Sequence, residues 1–312
     1  MRKILSFILI AVLLIGMLAS CGDIGNSSYN INGDTDAVDD GVSNNNSGMG
    51  KVTDGNEGKN KETADGNHVK YVYMGEYPQA LKEEGVTVEA TADDRGYYLG
   101  SDDCYYAKVV AEPYEAGYRF SNGTTAKADS EYYFKVEPIK WSVVSRGEAE
   151  AFLVCESVID AKRFDDDSND YLLSEIREYL NTEFVNASFN EEELSNIIPV
   201  AVGNNFNSDM WRDGRFIPNN VQDMVFLPSY GEAMVLDDSQ QMKKVSDYAI
   251  AKGAFICVTE SHYGNAIWLL RSPADDAGEF VCYCDQYGDI NNRGKLLSSE
   301  FFGISPAMKI KL

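Results

Sequence analysis

Few residues in this chain could do chemistry. Cys282 and Cys284 stand two apart in "FVCYC". In an extended strand, positions i and i+2 share a face, so paired thiolates could hold a soft metal such as Cu(I). The same spacing also suits small core residues. Cys257 precedes His262 by five positions, which admits a thiol–imidazole dyad. On a strand those two positions point to opposite faces, which opposes it. "DQYGDINNRG" (285–294) offers Asp285, Asp289 and Asn291 as oxygen ligands for calcium. It lacks EF-hand spacing and a closing bidentate Glu, and the plainer reading is a hairpin turn on Gly288. "FDDDSND" (164–170) places three Asp before a helix, where the N-terminal dipole favours them with or without a metal. In "WLLRSPADDAG" (268–278), Trp268 and Leu270 share one strand face, and Leu269 and Arg271 the other. A buried Arg271 needs a partner, so it should meet an acid or carbonyls and pin the loop that begins at Asp275. That loop, through Asp276 and Gly278, is the part expected to touch a ligand. Arg271, Asp275, Asp276, Asp285, Asp289 and Asn291 therefore form the candidate ligand-binding set. HExxH, CxxC, GxxxxGK[ST], GxSxG and SxxK are absent, so no residue is assigned a catalytic role. No cofactor is assigned; calcium and copper stay open.

The elements that must position these residues lie after residue 68. "YVYMGEYPQ" (71–79) reads as a short strand running into a Gly/Pro turn. "YYAKVV" (105–110) and "YYFKV" (132–136) read as strands, and "IKWSVVS" (139–145) with "AFLVCES" (151–157) as a hairpin. In "DYLLSEIREYLNTEF", Leu172, Leu173, Ile176, Tyr179, Leu180 and Phe184 fall on one helical stripe. Ser188 with Glu191, and Ser229 with Glu232, have capping-box spacing. "SDYAIAKG" predicts a short helix closed by Gly253. Strands return at "AIWLLRS", "EFVCYC" and "PAMKIKL", with Trp141 and Trp268 as core residues. Strands, then helices, then strands predict a single α+β domain over 68–312, with a mixed or antiparallel sheet.

The N-terminus reads as an address. Basic Arg2 and Lys3 precede an apolar run, Ile4 to Leu18, and then Leu18-Ala19-Ser20-Cys21. This is the order of a lipoprotein signal peptide (1–20), with Cys21 acylated and becoming the first mature residue. The run falls short of the ~20 apolar residues of a membrane span. Residues 21–67, dominated by Gly, Asn, Ser and Asp, have no apolar periodicity and predict a disordered tether. The composition is acidic, with 27 basic against 50 acidic residues and a net charge of −23. Such a surface repels phosphate backbones, so nucleic acid is excluded as a partner class. With Cys21 acylated, five Cys remain, an odd number that leaves their redox state open.

Six segments carry a resemblance: "GEYPQ" (75–79), "YYFKVEPIKWSVV" (132–144), "IREYLNTEFVNASFNEEE" (176–193), "DMVFLPS" (223–229), "WLLRSP" (268–273) and "GISPAMKI" (303–310). In this order they resemble a domain of unknown function found in surface and secreted proteins of clostridia and related Firmicutes. The resemblance implies a location and a fold and no assigned chemistry. The C-terminal pattern is also similar, more distantly, to the C-type-lectin-like group, which includes formylglycine-generating enzymes. That likeness implies paired terminal strands and a binding face made of loops. Ser305 stands where that pattern has Arg before Pro.

These readings converge on a lipid-anchored protein at the outer face of a bacterial cell membrane. The expected role is non-catalytic binding of a glycan or cell-wall ligand, since aromatic faces beside Asn and Asp suit sugars. The alternatives are a thiol- or copper-dependent enzyme using Cys282 and Cys284, or a protein-interaction module of an envelope complex.

Overall fold

Among the described residues, strands outweigh helices. The computed structural model describes residues 64–65, 68–69, 71–202, 222–274 and 278–312, all inside one unit, Glu57–Leu312. Two short strands, β1 (Ala64–Asp65) and β2 (His68–Val69), pair with each other. The larger sheet begins with β3 (Tyr71–Leu81), β4 (Tyr97–Leu99) and β5 (Tyr105–Val110). It continues with β6 (Glu131–Arg146) and β7 (Glu150–Cys155). The segments read as separate strands at 132–136 and 139–145 are one strand, β6, because Glu137 and Pro138 keep extended pairing with β3. Phe134 of β6 pairs with both β3 and β5, and Trp141 with both β3 and β7. Thus β3 holds one edge of β6, while β5 and β7 share the other.

β3 does not stop at its Gly and Pro. It runs eleven residues and slips register between Tyr73 and Glu76, and again between Pro78 and Leu81. Gly75 makes the first slip possible. Its φ is +71°, and a Cβ there would stand 2.6 Å from the Phe189 ring, so only glycine fits.

A short strand, β8 (Asp160–Ala161), follows β7 into a second sheet. The helical run is α1 (Glu175–Tyr179), a π-helical turn (Leu180–Phe184) and α2 (Val185–Ser188). Leu172 and Leu173 lie outside it, in a 3-10 turn (Tyr171–Leu173) that ends where Ser174 caps α1. Leu173 is 80% exposed, so the apolar stripe starts at Ile176. The next helix, α3 (Glu191–Asn196), is capped by Asn190 with Glu193, two residues beyond the Ser188–Glu191 pair. Ser188 instead ends α2. The Glu193 side chain also accepts the Gly75 amide (2.7 Å), which ties α3 to β3.

β9 (Val225–Phe226) adds to the large sheet. Helix α4 (Tyr230–Ala233) carries the expected Ser229–Glu232 capping box, and α5 (Asp238–Gln241) has a further one on Asp237. Helix α6 (Asp247–Ala251) closes before Gly253, whose φ is +99°. Strands β10 (Trp268–Pro273), β11 (Phe280–Cys284) and β12 (Ile290–Leu296) then form a meander. Finally, β13 (Gly303–Ile304) and β14 (Ala307–Lys311) return the chain to both sheets.

The second sheet has the order β12-β11-β10-β13-β8. β13 lies parallel to β10 and the other pairs are antiparallel. One antiparallel ribbon joins the two sheets: β7 beside β14 in the first, and β8 beside β13 in the second. The fold is therefore α+β with mixed and antiparallel pairing. Trp141 and Trp268 are fully buried in one shared core, each indole N–H donating to a backbone carbonyl, Met74 or Gln241. Among the described residues, no helix is long and apolar enough to cross a membrane.

Candidate functional site

Two of the candidate acids, Asp165 and Asp285, are engaged by nearby backbone amides. Asp165 accepts the amides of Asp167, Ser168 and Glu175, and Asp166 pairs with Arg163 at 2.6 Å. Asp285 accepts the amides of Tyr287 and Asp289, while Gly288 (φ +90°) completes the turn between β11 and β12. Asn291 accepts the Arg293 amide. These are turn-forming Asx bonds, so "DQYGDINNRG" is a hairpin turn. Arg271 is buried and makes the contacts its charge requires. It donates to the Leu227 carbonyl at 2.7 Å and meets both oxygens of Glu232, at 2.5 and 2.9 Å. Burial works against the Glu232 anion, but the Arg271 charge and hydrogen bonds outweigh it and hold its carboxyl below the usual range. Asp275 and Asp276 lie outside the described residues. Arg271, in the middle of β10, and Asp285, Asp289 and Asn291, at the β11–β12 turn, do not converge on one site.

The thiols are also placed away from chemistry. Cys104, Cys155, Cys257, Cys282 and Cys284 are all free, and all but Cys104 are buried. Burial pushes the Cys282 and Cys284 thiols up to about 12, so both keep their protons at neutral pH. Cys257 bonds to Thr259 and His262 bonds to Ser261, so the two do not form a dyad. Cys21 lies outside the described residues. Among the described residues, no group of three or more His, Cys, Asp or Glu side chains converges as a metal site.

A different set does converge. A cleft of about 180 Å³ is lined by groups from eight elements, β5 and α2 among them through Ala107 and Ala187. β3 contributes Tyr77, β4 Tyr97, β8 Asp160, α1 Tyr179 and α6 Tyr248, and the π-helical turn adds Glu183 and Phe184. π-Helical turns are rare and often accompany functional sites. At the base is Asp160, 2% exposed. Its Oδ2 accepts the hydroxyls of Tyr77 (2.8 Å) and Tyr179 (2.5 Å), and its Oδ1 accepts the Ala161 amide (2.8 Å). The two hydroxyls also lie 2.8 Å apart, close enough for either proton to be shared between its neighbour and the carboxylate. Aromatic packing fixes the rings: Tyr77 stands edge-on to Tyr248 and 5.1 Å from Phe184. Burial, then the Asp160 charge, drives the Tyr77, Tyr179 and Tyr248 phenols well above their ordinary range. Exposed Glu183 and Lys252 and half-buried Lys162 complete the lining. The Lys162 ammonium sits 4.3 Å from the centre of the Tyr179 ring.

Chemically, this arrangement holds charge and shape. One carboxylate oxygen, Oδ2, is held by two tyrosines, and burial keeps the phenols protonated at neutral pH. Sequence reasoning placed Tyr179 on a core stripe and did not single out Tyr77, Tyr97, Asp160, Lys162, Tyr248 or Lys252. One signal was present: in "SVIDAK" a lone acid sits inside an apolar run, which marks a buried charge.

Neither curated proteins nor solved structures include a match to this chain. Residues 148–312, more than half of the chain, match a family described as "Domain of unknown function (DUF6273)". The match takes in Asp160, Tyr179 and Tyr248 of the cleft and leaves Tyr77 and Tyr97 to the segment before it. This chain belongs to that family of domains of unknown function, DUF6273.

Proposed function

We propose that the protein is a non-catalytic binding module, anchored by lipid on Cys21 to the outer face of a bacterial cell membrane. Its ligand is a glycan or another cell-wall component, taken up in the Tyr77–Asp160–Tyr179–Tyr248 cleft. One observation carries this reading: a concave, aromatic-lined site with a buried carboxylate already held by hydrogen bonds. Tyrosine faces with a few fixed polar groups suit a ligand that must be held and left unreacted. The volume lies below the ~300 Å³ of a drug-sized pocket, so the site receives one terminal group of a polymer. The acidic net charge favours neutral or cationic ligands over anionic ones.

The test is a binding screen. The full chain, in a non-ionic detergent, is applied to an array of glycans and peptidoglycan fragments, with and without calcium. A saturable hit that weakens in Tyr248→Ala and persists in Asp285→Ala supports the cleft. Loss in Asp285→Ala alone moves the site to the β11–β12 turn. An array blank for well-folded protein sinks the glycan reading. Mass spectrometry of the mature N-terminus, compared with Cys21→Ala, checks the anchor; an unmodified Cys21 refutes it.

A further inference from the structure

The cleft also specifies a chemical group, on the reading that it is the binding site. Asp160 is a buried carboxylate side chain, yet the ion pairs among the described residues all lie elsewhere. A buried charge without an ionic partner is costly, and here only hydrogen bonds offset that cost. Those bonds fill Oδ2 with two phenols and take one position on Oδ1 with an amide. A primary ammonium or a sugar hydroxyl seeks an open acceptor in line with each N–H or O–H. A quaternary ammonium needs only negative charge and π-faces. This site supplies the charge with its best acceptor already filled, and it adds the rings of Tyr77, Tyr97, Tyr179 and Tyr248.

The chain already shows that a cation is accepted there, since the Lys162 ammonium lies over the Tyr179 ring. Lys162 is only half-buried and sits on a flexible stem, so it can yield that face. With exposed Lys252 it then sets two positive charges against the one negative charge of exposed Glu183 on the outer lining. The ligand that answers both ends is a zwitterion. A cleft of about 180 Å³ holds roughly six waters' worth of volume, the scale of one head group.

We propose that the cleft binds a trimethylammonium group carried a few bonds from an anion, as in phosphocholine or glycine betaine. The ammonium lies among the tyrosine rings above Asp160, and the anion turns toward Lys162 and Lys252. The assignment rests on the cleft being the binding site and is independent of whether a sugar carries the group.

The experiment is calorimetric titration of the full chain in non-ionic detergent with phosphocholine, glycine betaine, choline, phosphoethanolamine, inorganic phosphate and N-acetylglucosamine. Phosphocholine or betaine should bind saturably, and comparison of the two identifies the anion. Phosphoethanolamine should bind about tenfold more weakly or worse, a difference of about 1.4 kcal/mol. Asp160→Asn should weaken the trimethylammonium ligands by about tenfold or more while circular dichroism confirms its fold. Lys162→Met supplies a second test should Asp160→Asn fail to fold. Removing the competing internal cation should tighten choline, whereas phosphocholine should gain less because it loses an anion partner. A purely structural Lys162 would give neither effect.

The assignment is overturned if folded wild-type protein gives no saturable heat with any trimethylammonium ligand up to ~10 mM, a concentration that would reveal even millimolar affinity. It is also overturned if phosphoethanolamine binds as tightly as phosphocholine. Tyr248-dependent glycan binding without trimethylammonium binding overturns this inference and leaves the binding-module reading standing. Silence from both screens removes both.

Discussion

Lys243→Met should stabilise the protein at neutral pH, although the position is only 1% exposed. Lys243 lies between α5 and α6 and reaches the bend where β7 passes into β8. There its ammonium donates to the Cys155 carbonyl (2.6 Å) and sits 5.1 Å from the Trp268 ring centre. Burial lowers its pKa from 10.5 to about 8. That gap is worth roughly 3 kcal/mol against the charged form; the carbonyl bond and the ring contact favour the ammonium and offset part of it. Methionine keeps most of the stem, so little cavity opens. The Cys155 carbonyl keeps the Ser305 hydroxyl at 3.0 Å and is not orphaned. The expected gain is about 1–3 kcal/mol, seen as a rise of up to ~1 M in the urea midpoint. The pH dependence is the sharper signature. Between about 8 and 10.5 the unfolded chain binds more protons than the folded one, so wild-type stability rises with pH across that window. The methionine variant lacks this term, and its advantage should shrink by up to about 1.4 kcal/mol per pH unit from pH 8 to 10. Urea unfolding of both proteins at pH 7, 8, 9 and 10, followed by tryptophan fluorescence, measures it. An advantage that stays constant over the series, or a variant less stable at pH 7, refutes the claim that a buried charge burdens this site.

Gly75→Ala should destabilise by about 2–4 kcal/mol, combining left-handed backbone strain with overpacking against Phe189. Gly123→Ala has a similar φ (+86°) but open space around its Cβ, so it should cost only ~1–2 kcal/mol; equal losses in chemical denaturation would remove the role given to Phe189. Among the five cysteines of the described residues, Cys104 should be the one that reacts with a thiol reagent in the native state. Peptide mapping that finds early label on Cys282 or Cys284 would contradict their burial.

Where local rules suffice, the sequence was readable. The hairpin between β6 and β7, the Ser229–Glu232 box and the Gly253 stop each depend on a few adjacent residues, and each is present. Where two local solutions compete, distant contacts decide. Ser188–Glu191 and Asn190–Glu193 both have capping spacing, and the second is used. Glu193 there can also accept the Gly75 amide, 118 residues away. The Gly and Pro of "YVYMGEYPQ" look like a stop, yet β6 is long enough to carry β3 past both.

The site followed the same logic in reverse. Acids in Gly- and Asn-rich loops resemble ligand sets because turn-forming and metal-binding segments draw on the same residues. Asp165 uses both oxygens and Asp285 its Oδ1 on nearby amides, and Asp247 uses both of its own on Leu81 and Ser121. Asp160 differs in context: Val158, Ile159 and Ala161 around it are all buried. An acid in such a run is desolvated wherever the chain folds, so the structure must supply partners for it. Here they are tyrosines from β3 and α1, whose hydroxyls bond Oδ2, and the Ala161 amide, which bonds Oδ1; none of them is a cation. A charge kept in that state leaves room for an outside cation, and this gives a lone Asp in an apolar strand more weight than any run of acids in a loop.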